Sequence, residues 1–414
     1  MFTFAFSRAV IGALLATGIT AAHADSITID QAITRAARRP SVAVAGTDVE
    51  AARGEAAGSR RPLYNPELGV AAGPRFGAGS TLLDLEVSIA QTIELGGKRG
   101  ARRAAADARV DAAEADLAWA TYEARVEVWR AFQRGVVARA RLEAMREAEA
   151  LATQLVAVTR DRQTLGAGTQ LQINLAALEV GRARLDRVDA ENVYEASLAE
   201  LATTIGAAPE ERVEPTGELA ALPPTSLDEA ALVERALAER PDLAAARAQV
   251  VAARADVRVA ESLGTPDLTA SLSYGYEQDV DTDFHTVLAG LSISLPVRNR
   301  NQGARLVTRA RSRRAELELN RRVVEAERDV RTAVRAYVRA RDAVQGFDRE
   351  VSGALHDNLE LARESFAAGK LDYFELTVVR RELVANRLAY LDAVNEAIDA
   401  WTAVQRAAGK DGAR

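Results

Sequence analysis

The chain of 414 residues contains no cysteine, three histidines and two methionines. Without thiols it can form neither disulfides nor thiolate metal sites, and no cysteine can carry a lipid. So few imidazole and thioether groups also exclude a dense site for soft metal ions. No P-loop, nucleophile elbow or zinc-protease motif is present. The sequence therefore indicates a protein that is not an enzyme and needs no cofactor.

Aromatic residues and excess positive charge are also scarce. Phenylalanine, tryptophan and tyrosine make up 5% of the chain, and 53 basic residues face 59 acidic ones, for a net charge of −6. This balance offers no electrostatic basis for binding nucleic acid. The long stretches rich in alanine, arginine, glutamate and leucine are instead typical of extended helices packed through small side chains.

The N-terminal apolar run, from Ala9 to Ala16, is too short to span a bilayer. Arg8 precedes it, and Ala22-His23-Ala24 follows with the small-x-small pattern of a cleavage site. We therefore expect a secretory signal peptide over residues 1–24 and a mature chain that starts at Asp25. The alternative is an ordinary amphipathic first helix.

The chain is internally duplicated. Prolines and glycines recur at a separation of about two hundred residues, for example 201 between Pro40 and Pro241 (241 minus 40). The pattern predicts a first repeat over residues 25–206, a proline-rich linker over 207–225 and a second repeat over 226–414. Further matching pairs are Pro66 with Pro266, Ile93 with Ile293, and Gly168 with Gly369.

Each repeat contains two segments in which apolar and polar residues alternate. Leu268, Leu272 and Tyr274 would share one face of such a strand, whereas Ser271 and Ser273 would share the other. Alternation alone is equally typical of a soluble antiparallel hairpin. Strands are predicted at residues 66–75, 82–95, 267–277 and 285–295.

Each strand pair leads into a very long helical stretch without proline. The first, residues 98–165, would extend about 100 Å, and its small residues recur with the 3.5-residue period of a coiled coil. A glycine loop then reverses the chain into a return helix. The predicted long helices are residues 98–165 and 303–367, and the return helices are 170–205 and 371–408.

Four strands, each with one apolar and one polar face, are too few to close into a membrane barrel by themselves. Open strand edges in hydrocarbon would leave backbone groups unpaired, at several kcal/mol each. The barrel must therefore be shared, and three copies would supply twelve strands, enough to enclose a channel.

The segment Gln91-Thr92-Ile93-Glu94-Leu95-Gly96-Gly97-Lys98-Arg99, at a strand-to-helix junction, resembles the TolC-like outer-membrane efflux proteins, in particular their heavy-metal resistance branch. The resemblance implies a mainly α fold with a β-barrel portion. A homotrimer would form a twelve-stranded barrel in outer-membrane lipid, continued by a periplasmic α-helical barrel. It also implies a passive exit duct for divalent metal cations, with a periplasmic adaptor and an inner-membrane RND pump as partners.

The resemblance also assigns roles to the helix reversals. The adaptor would dock at the periplasmic tips, and acidic residues just inside the second tip would ring a closed pore. One further acidic position of the family is occupied by Val378. The tip residues are Gly166, Gly168, Thr169, Gly369 and Lys370, and the constriction residues are Glu375, Asp372 and, as the first-repeat counterpart, Asn174.

Two other hypotheses compete with this one. A secreted adhesive coiled coil would explain the heptads and the signal peptide, but not the strand pairs at matching positions. Within the conduit class, the cargo could instead be organic drugs or proteins exported by a type I system. No predicted lumen-facing residue distinguishes metal ions from organic compounds.

Overall fold

The computed structural model describes residues 25–77, 80–208, 210–218, 222, 226–278, 282–347, 361–362, 364–366 and 368–409. The predicted signal peptide, residues 1–24, lies outside this part of the chain. The described elements confirm the predicted fold class of two helix-strand-strand-helix units. They are β1 (Asp25–Ile27), α1 (Ile29–Ala36), α2 (Pro40–Ser59), β2 (Glu67–Gly77), β3 (Ser80–Ile93), α3 (Lys98–Thr164), α4 (Gln170–Ile205), β4 (Val213–Pro215), α5 (Glu229–Glu239), α6 (Pro241–Ser262), β5 (Leu268–Glu277), β6 (Phe284–Ile293), α7 (Gln302–Phe347) and α8 (Tyr373–Ala408).

The second long helix is described in two pieces. Helix α7 is described as far as Phe347, residues 348–360 of the predicted helix lie outside the described part, and residues 361–362 and 364–366 are helical. None of the described helices combines enough length and apolar character to cross a lipid bilayer.

Four strands form one antiparallel sheet in the order β2-β3-β5-β6. Strands β3 and β5 join the two repeats, with Val87 opposite Tyr274 and Ile89 opposite Leu272. Because side chains alternate along a strand, these apolar residues share one face, and polar residues such as Ser88 and Ser273 share the other. The apolar face is strongly exposed, with Leu68 at 73% and Leu291 at 75% of their full accessibility.

The helices continue the order of the strands. Helix α3 contacts α2 on one side and α6 on the other, and α6 contacts α7. Beyond the ends of α2 and α6, helix α4 packs along α3, and α8 packs between α3 and α7. One side edge of the chain is therefore formed by β2, α2 and α4, and the opposite edge by β6 and α7.

Each return helix stacks end to end on the helix that precedes the strands of its repeat, α4 on α2 and α8 on α6. Gly206, which ends α4 with φ of 69°, lies close to Arg39, directly before α2: a Cβ at residue 206 would be 3.8 Å from the Cα of Arg39. Gly409 ends α8 with φ of 78° and lies against Arg240, directly before α6. Arg240 is buried there and donates two hydrogen bonds to Asp242, at 2.9 and 2.7 Å. Around the first junction a core forms from α1, α2, α3, α4, β1 and β4, including Val128, Leu201 and Val213.

The junction motif at residues 91–99 connects the sheet to the helices of both repeats. Lys98 is 6% exposed, and its Nζ lies 2.6 Å from Oδ1 of Asp267, the residue before β5. The backbone N–H of Leu95 donates to the same carboxylate at 3.3 Å. Arg102 donates to the two carboxylate oxygens of Glu94 through its two terminal nitrogens, Nη1 and Nη2. The motif therefore fixes the start of α3 against the second repeat.

Candidate functional site

The candidate site lies at the two helix reversals, called here the tips. In the first repeat, Gly166 has φ of 76°, its N–H donates to the Gln163 carbonyl at 3.0 Å, and the Ala167 N–H donates to Arg162 at 2.8 Å. In the second, Gly369 has φ of 73°, and its N–H donates to Phe366 at 3.1 Å. These bonds form the same glycine-terminated helix end, a Schellman motif.

A capping box starts the return helix at each tip. The Thr169 hydroxyl accepts from the Gln172 N–H at 3.3 Å, while the Gln172 amide oxygen accepts from the Thr169 N–H at 3.0 Å. Asp372 and Glu375 make the same two contacts at 2.7 and 2.8 Å. Each box satisfies two backbone donors that the helix leaves free.

The two motifs correct the sequence alignment of the repeats at the tips. Gly166 matches Gly369 at a separation of 203 residues (369 minus 166), and Thr169 matches Asp372 at the same separation. The predicted pairing of Gly168 with Gly369 is therefore wrong, because only Gly166 shares its left-handed backbone.

The pairing of Asn174 with Glu375 is wrong for the same reason. Gln172 occupies the capping-box position of Glu375. Asn174 lies two residues further along α4, is exposed, and accepts a hydrogen bond from Gln170 at 3.0 Å. Gly168 has a different role, because a Cβ there would lie 3.0 Å from the backbone nitrogen of Gln163.

The predicted constriction residues of the second repeat lie together on the surface. Asp372 and Glu375 are both exposed, and within the described part of the chain neither forms an ion pair. Lys370 is exposed in the loop before them. Arg162 does not pair with either acid: its Nη1 donates to the Phe366 carbonyl at 2.9 Å, and its guanidinium lies 4.6 Å from the Phe366 ring centre.

An apolar cluster behind the loops holds the two tips together, and we call it the tip node. It combines residues of both repeats, so the two hairpins pack as one body at this level. Tyr373 is 3% exposed there, and its hydroxyl has no hydrogen-bond partner within the described structure. The members of the tip node are Leu155, Ala176, Ala362, Phe366, Tyr373 and Leu376.

About two turns further along the return helices, Glu179 of α4 bridges to α8. Its side chain is 12% exposed and lies 2.5 Å from Nη2 of Arg380, which is 7% exposed. Arg381, half exposed, pairs with the second carboxylate oxygen. Burial opposes ionisation of Glu179, but the hydrogen bond and charge of Arg381 and the charge of Arg380 outweigh it and hold its pKa below the ordinary value.

Sequence reasoning missed this bridge. The available signal was the spacing of Tyr373, Leu376 and Arg380, which places Arg380 on the buried stripe of α8. A charged residue at such a position requires a partner. Its identity, Glu179, depends on how the two hairpins pack, and a single sequence does not contain that information.

A groove with a volume of about 660 Å³ lies beside the bridge, between α3, α4 and α8. Its floor is apolar and includes Met145, Ala183 and Leu388, and its rim carries charges of both signs. Among the residues that the structure describes, no group of three or more histidine, aspartate or glutamate side chains could hold a metal ion.

Comparison with known proteins identifies similar chains. The family model of the outer membrane efflux proteins matches residues 33–207 and 232–410. The cobalt-zinc-cadmium resistance protein CzcC of Cupriavidus metallidurans is 27% identical over 353 residues, covering 84% of this chain and 82% of that protein. The pyoverdine export outer membrane protein OpmQ of Pseudomonas putida is 30% identical over 205 residues, 48% of this chain and 42% of its own.

A solved structure shares the fold. The CmeC outer membrane channel of Campylobacter jejuni superimposes with a TM-score of 0.75 and covers 93% of this chain and 87% of its own, at 16% sequence identity. The likeness at this identity concerns the fold alone.

Proposed function

The chain belongs to the outer membrane efflux protein family, and from this premise we propose that it is the exit duct of a tripartite efflux system for divalent heavy-metal cations. It is an outer-membrane protein with a large periplasmic helical part. Family members act as channels and not as enzymes. The duct would have no chemistry of its own.

The observation that carries the proposal is the unpartnered apolar face of the four-stranded sheet. An exposed apolar surface of this extent marks a protein or membrane contact. Val70, Ile89 and Val287 on this face are 67%, 50% and 68% exposed, and the polar residues lie on the opposite face. We assign the apolar face to outer-membrane lipid and the polar face to an aqueous lumen.

The two free edges of the sheet support a homotrimer. Within the described residues, β2 pairs only with β3 and β6 only with β5. Three chains joined edge to edge would form a closed twelve-stranded wall, and the helices below it would form a second tube.

The tips support docking of a periplasmic adaptor, which would connect the duct to an inner-membrane RND pump. Gly166, Gly168, Thr169, Gly369 and Lys370 form two compact loops at the ends of the long hairpins. A glycine with open space around it, as at Gly166 and Gly369, allows another backbone to approach closely.

The cargo assignment depends on the tip acids and on the relative CzcC, a cobalt-zinc-cadmium resistance protein. Asp372 and Glu375 need no basic partner for the capping box that they form. In a trimer they would give three pairs of carboxylates around one axis. Such a ring attracts cations without binding them tightly, and a duct must release what enters it.

An organic cargo is the second candidate, and the similarity to OpmQ, a pyoverdine export protein, favours it. That relative matches less than half of this chain. Drugs or exported proteins would use the same duct, with selectivity set by the pump.

Loss of the gene in its native host separates the two candidates. We expect the deletion strain to become sensitive to zinc, cobalt, cadmium or nickel, and plasmid-borne wild-type protein to restore growth. Wild-type protein in outer-membrane fractions should migrate as a trimer that dissociates on heating. Sensitivity to hydrophobic drugs alone would favour the organic cargo, and the absence of a heat-sensitive trimer would contradict the duct.

A further inference from the structure

The end of the sheet that joins the helices is strongly basic. Strand β6 ends at Ile293, and residues 284–315 contain seven arginines but no aspartate or glutamate. In the chain as a whole, 59 acidic residues outnumber 53 basic ones. The run of arginines directly after β6 is therefore a local departure from the charge of the protein, and the helical wall does not account for it.

Four arginines at this end have no acidic partner. Arg61, Arg99, Arg298 and Arg300 are exposed, and none of them forms an ion pair within the part of the chain that the structure describes. The acids nearby are already neutralised by other basic side chains. Those pairs are Glu94 with Arg102, Asp107 with Arg60, Glu261 with Arg309, and Asp267 with Lys98.

The apolar face of the sheet leads directly to these arginines. Leu295 and Val297 follow β6, each is 71% exposed, and Arg298 comes next in the chain. In the first repeat, Leu63 lies between Arg61 and β2 and is 55% exposed. Exposed apolar and exposed basic side chains therefore adjoin each other at the same end of the sheet in both repeats.

A hydrogen bond places the arginines of the first repeat beside the apolar face. Gln91 belongs to that face by the alternation of β3, and its Nε2 donates to the carbonyl oxygen of Tyr64 at 3.1 Å. Arg61 lies three residues before Tyr64. Arg99 donates from the start of α3 to the carbonyl oxygen of Arg60. The segment before β2 and the start of α3 therefore meet at the end of the apolar face.

The height of the apolar face locates the arginines relative to a membrane. From Leu83 to Ile93 the face spans ten residue steps (93 minus 83) along β3, each of about 3.4 Å. At a tilt of about 40°, this run is about 26 Å tall and matches the apolar band of about 25 Å in membrane barrels. Tyr64, 36% exposed, lies at its lower end, where tyrosine is typical of a membrane interface. Arg99 lies just beyond this boundary.

We propose that Arg61, Arg99, Arg298 and Arg300 form a headgroup belt, which binds the phosphate groups of anionic phospholipids at the periplasmic boundary of the outer membrane. The inference rests on the proposed assignment of the apolar face to lipid, and it adds a chemical class of lipid to that assignment. Guanidinium groups bind phosphate through two parallel N–H donors. A phospholipid fits the whole surface, because its acyl chains would lie against the apolar face while its headgroup reaches the arginines.

The opposite end of the sheet does not share this charge. Asp84 and Glu277 lie opposite each other on β3 and β5, and the single guanidinium of Arg75 lies 3.5 Å from each of them. These three side chains leave a net charge of −1. Unpaired arginines next to exposed apolar residues are therefore a feature of the end that joins the helices, where the headgroup belt is proposed.

Competition between two lipids tests the headgroup belt. Purified full-length protein in detergent is mixed with equal amounts of phosphatidylglycerol and phosphatidylcholine that have the same acyl chains. The lipids that stay with the protein through gel filtration are extracted and quantified. We expect phosphatidylglycerol to be retained several-fold over phosphatidylcholine, and this preference should shrink in concentrated salt. An excess of inorganic phosphate should not displace the lipid, since phosphate has no acyl chain.

Charge removal identifies the residues responsible. Arg298→Gln with Arg300→Gln should lower the retained ratio of the two lipids about twofold or more, and adding Arg61→Gln with Arg99→Gln should bring it close to one. The matched control is Arg146→Gln with Arg160→Gln. These two arginines are also exposed and form no ion pair within the described chain, but they lie about 70 Å or more along α3 from its start. The control should keep the wild-type ratio.

A conservative variant separates charge from local structure, because Nε of Arg300 also donates to the Pro296 carbonyl at 3.3 Å. Arg298→Lys with Arg300→Lys keeps both charges and should keep most of the preference. If it loses as much as the glutamine variant, or if the fourfold glutamine variant keeps the wild-type ratio, the headgroup belt is wrong.

The wild-type protein distinguishes failure of the belt from failure of the duct. Heat-sensitive trimers that retain both lipids in equal amounts would overturn the headgroup belt and leave the duct in place. Protein that retains neither lipid would contradict the assignment of the apolar face itself, and the proposed duct would fall with it.

Discussion

The two tips have the same backbone and different charges. In both tips a glycine with left-handed backbone conformation ends the long helix, and a capping box begins the return helix. The first tip builds its box from Thr169 and Gln172, and the second from Asp372 and Glu375. An N-cap needs an acceptor oxygen, which a hydroxyl and a carboxylate both supply. The fold therefore explains the hydrogen bonds of the second tip but not its negative charge.

The two tips show which of their residues the backbone conformation requires and which it does not. Glycine at the helix end is required in both repeats, because a left-handed conformation costs other residues about 1–2 kcal/mol. The capping box carries negative charge in the second repeat only. The acids of the second tip are accordingly the better candidates for a role in selecting ions.

The tips are also joined by two kinds of contact. The tip node is apolar, whereas the bridge from Glu179 to Arg380 and Arg381 is ionic and largely buried. Burial of a charge is tolerated only when the partner is present. Loss of a buried member of the bridge, Glu179 or Arg380, should therefore cost more than any other single change at the tips.

Glu179→Gln is expected to have the largest effect. It leaves the buried guanidinium of Arg380 without a counter-charge, a change that typically costs about 3–5 kcal/mol. Hydrogen exchange of the purified protein in detergent should show faster exchange at the tip ends of α4 and α8. Arg381→Gln is the matched control, since Arg381 is 53% exposed and loss of an exposed pair costs about 0–1 kcal/mol.

The pH dependence of the same exchange tests the bridge without a mutation. Because the folded protein holds the pKa of Glu179 below its ordinary value of 4.5, the ionised carboxylate stabilises the folded tips. This contribution is complete above pH 4.5 and is lost as the pH falls further, through the lowered pKa. Exchange at the tips should rise in that range in the wild type and change less in Glu179→Gln. Equal pH profiles would contradict the role given to the bridge.

The glycines are expected to have an intermediate effect. Gly166→Ala and Gly369→Ala force alanine into a left-handed conformation and should each destabilise the tip by about 1–2 kcal/mol. Gly369→Asn should cost less, because asparagine tolerates this conformation. Thermal unfolding of the detergent-solubilised protein measures the difference. Equal losses for alanine and asparagine at residue 369 would show that space, and not backbone conformation, requires glycine there.

The fold class could be predicted from the sequence because its signals are local. Alternation over residues 268–276 marks a strand, and the absence of proline across residues 98–165 marks a long helix. Both signals depend only on neighbouring residues, so no knowledge of tertiary contacts was needed.

The alignment of the tips could not be predicted in this way. Two glycines, Gly166 and Gly168, are almost adjacent, and either could have the positive φ as far as the sequence indicates. The structure gives it to Gly166. The separation between repeats also drifts along the chain, from 201 at Pro40 and Pro241 to 203 at Gly166 and Gly369. The bridge from Glu179 to Arg380 was missed because its partners are brought together only by packing between hairpins.

The smallest effect on stability, and the sharpest test of the difference between the tips, comes from removing charge while keeping the cap. Asp372→Asn with Glu375→Gln preserves both hydrogen bonds of the box, since asparagine and aspartate cap about equally well. The free energy of unfolding should therefore change by no more than about 0.5 kcal/mol. In planar bilayers, however, the preference of the channel for cations over anions should fall, because the proposed ring of carboxylates would lose its charge.

The converse change makes this test symmetrical. Thr169→Asp with Gln172→Glu places the same charges on the first tip, again with the capping box intact. If the acids of the second tip surround the pore, Asp372→Asn with Glu375→Gln should lower the cation preference. Thr169→Asp with Gln172→Glu should raise the cation preference if the first tip also faces the pore, and should leave it unchanged if that tip faces away. Unchanged selectivity in Asp372→Asn with Glu375→Gln would place the acids outside the conducting path and leave them a capping role alone.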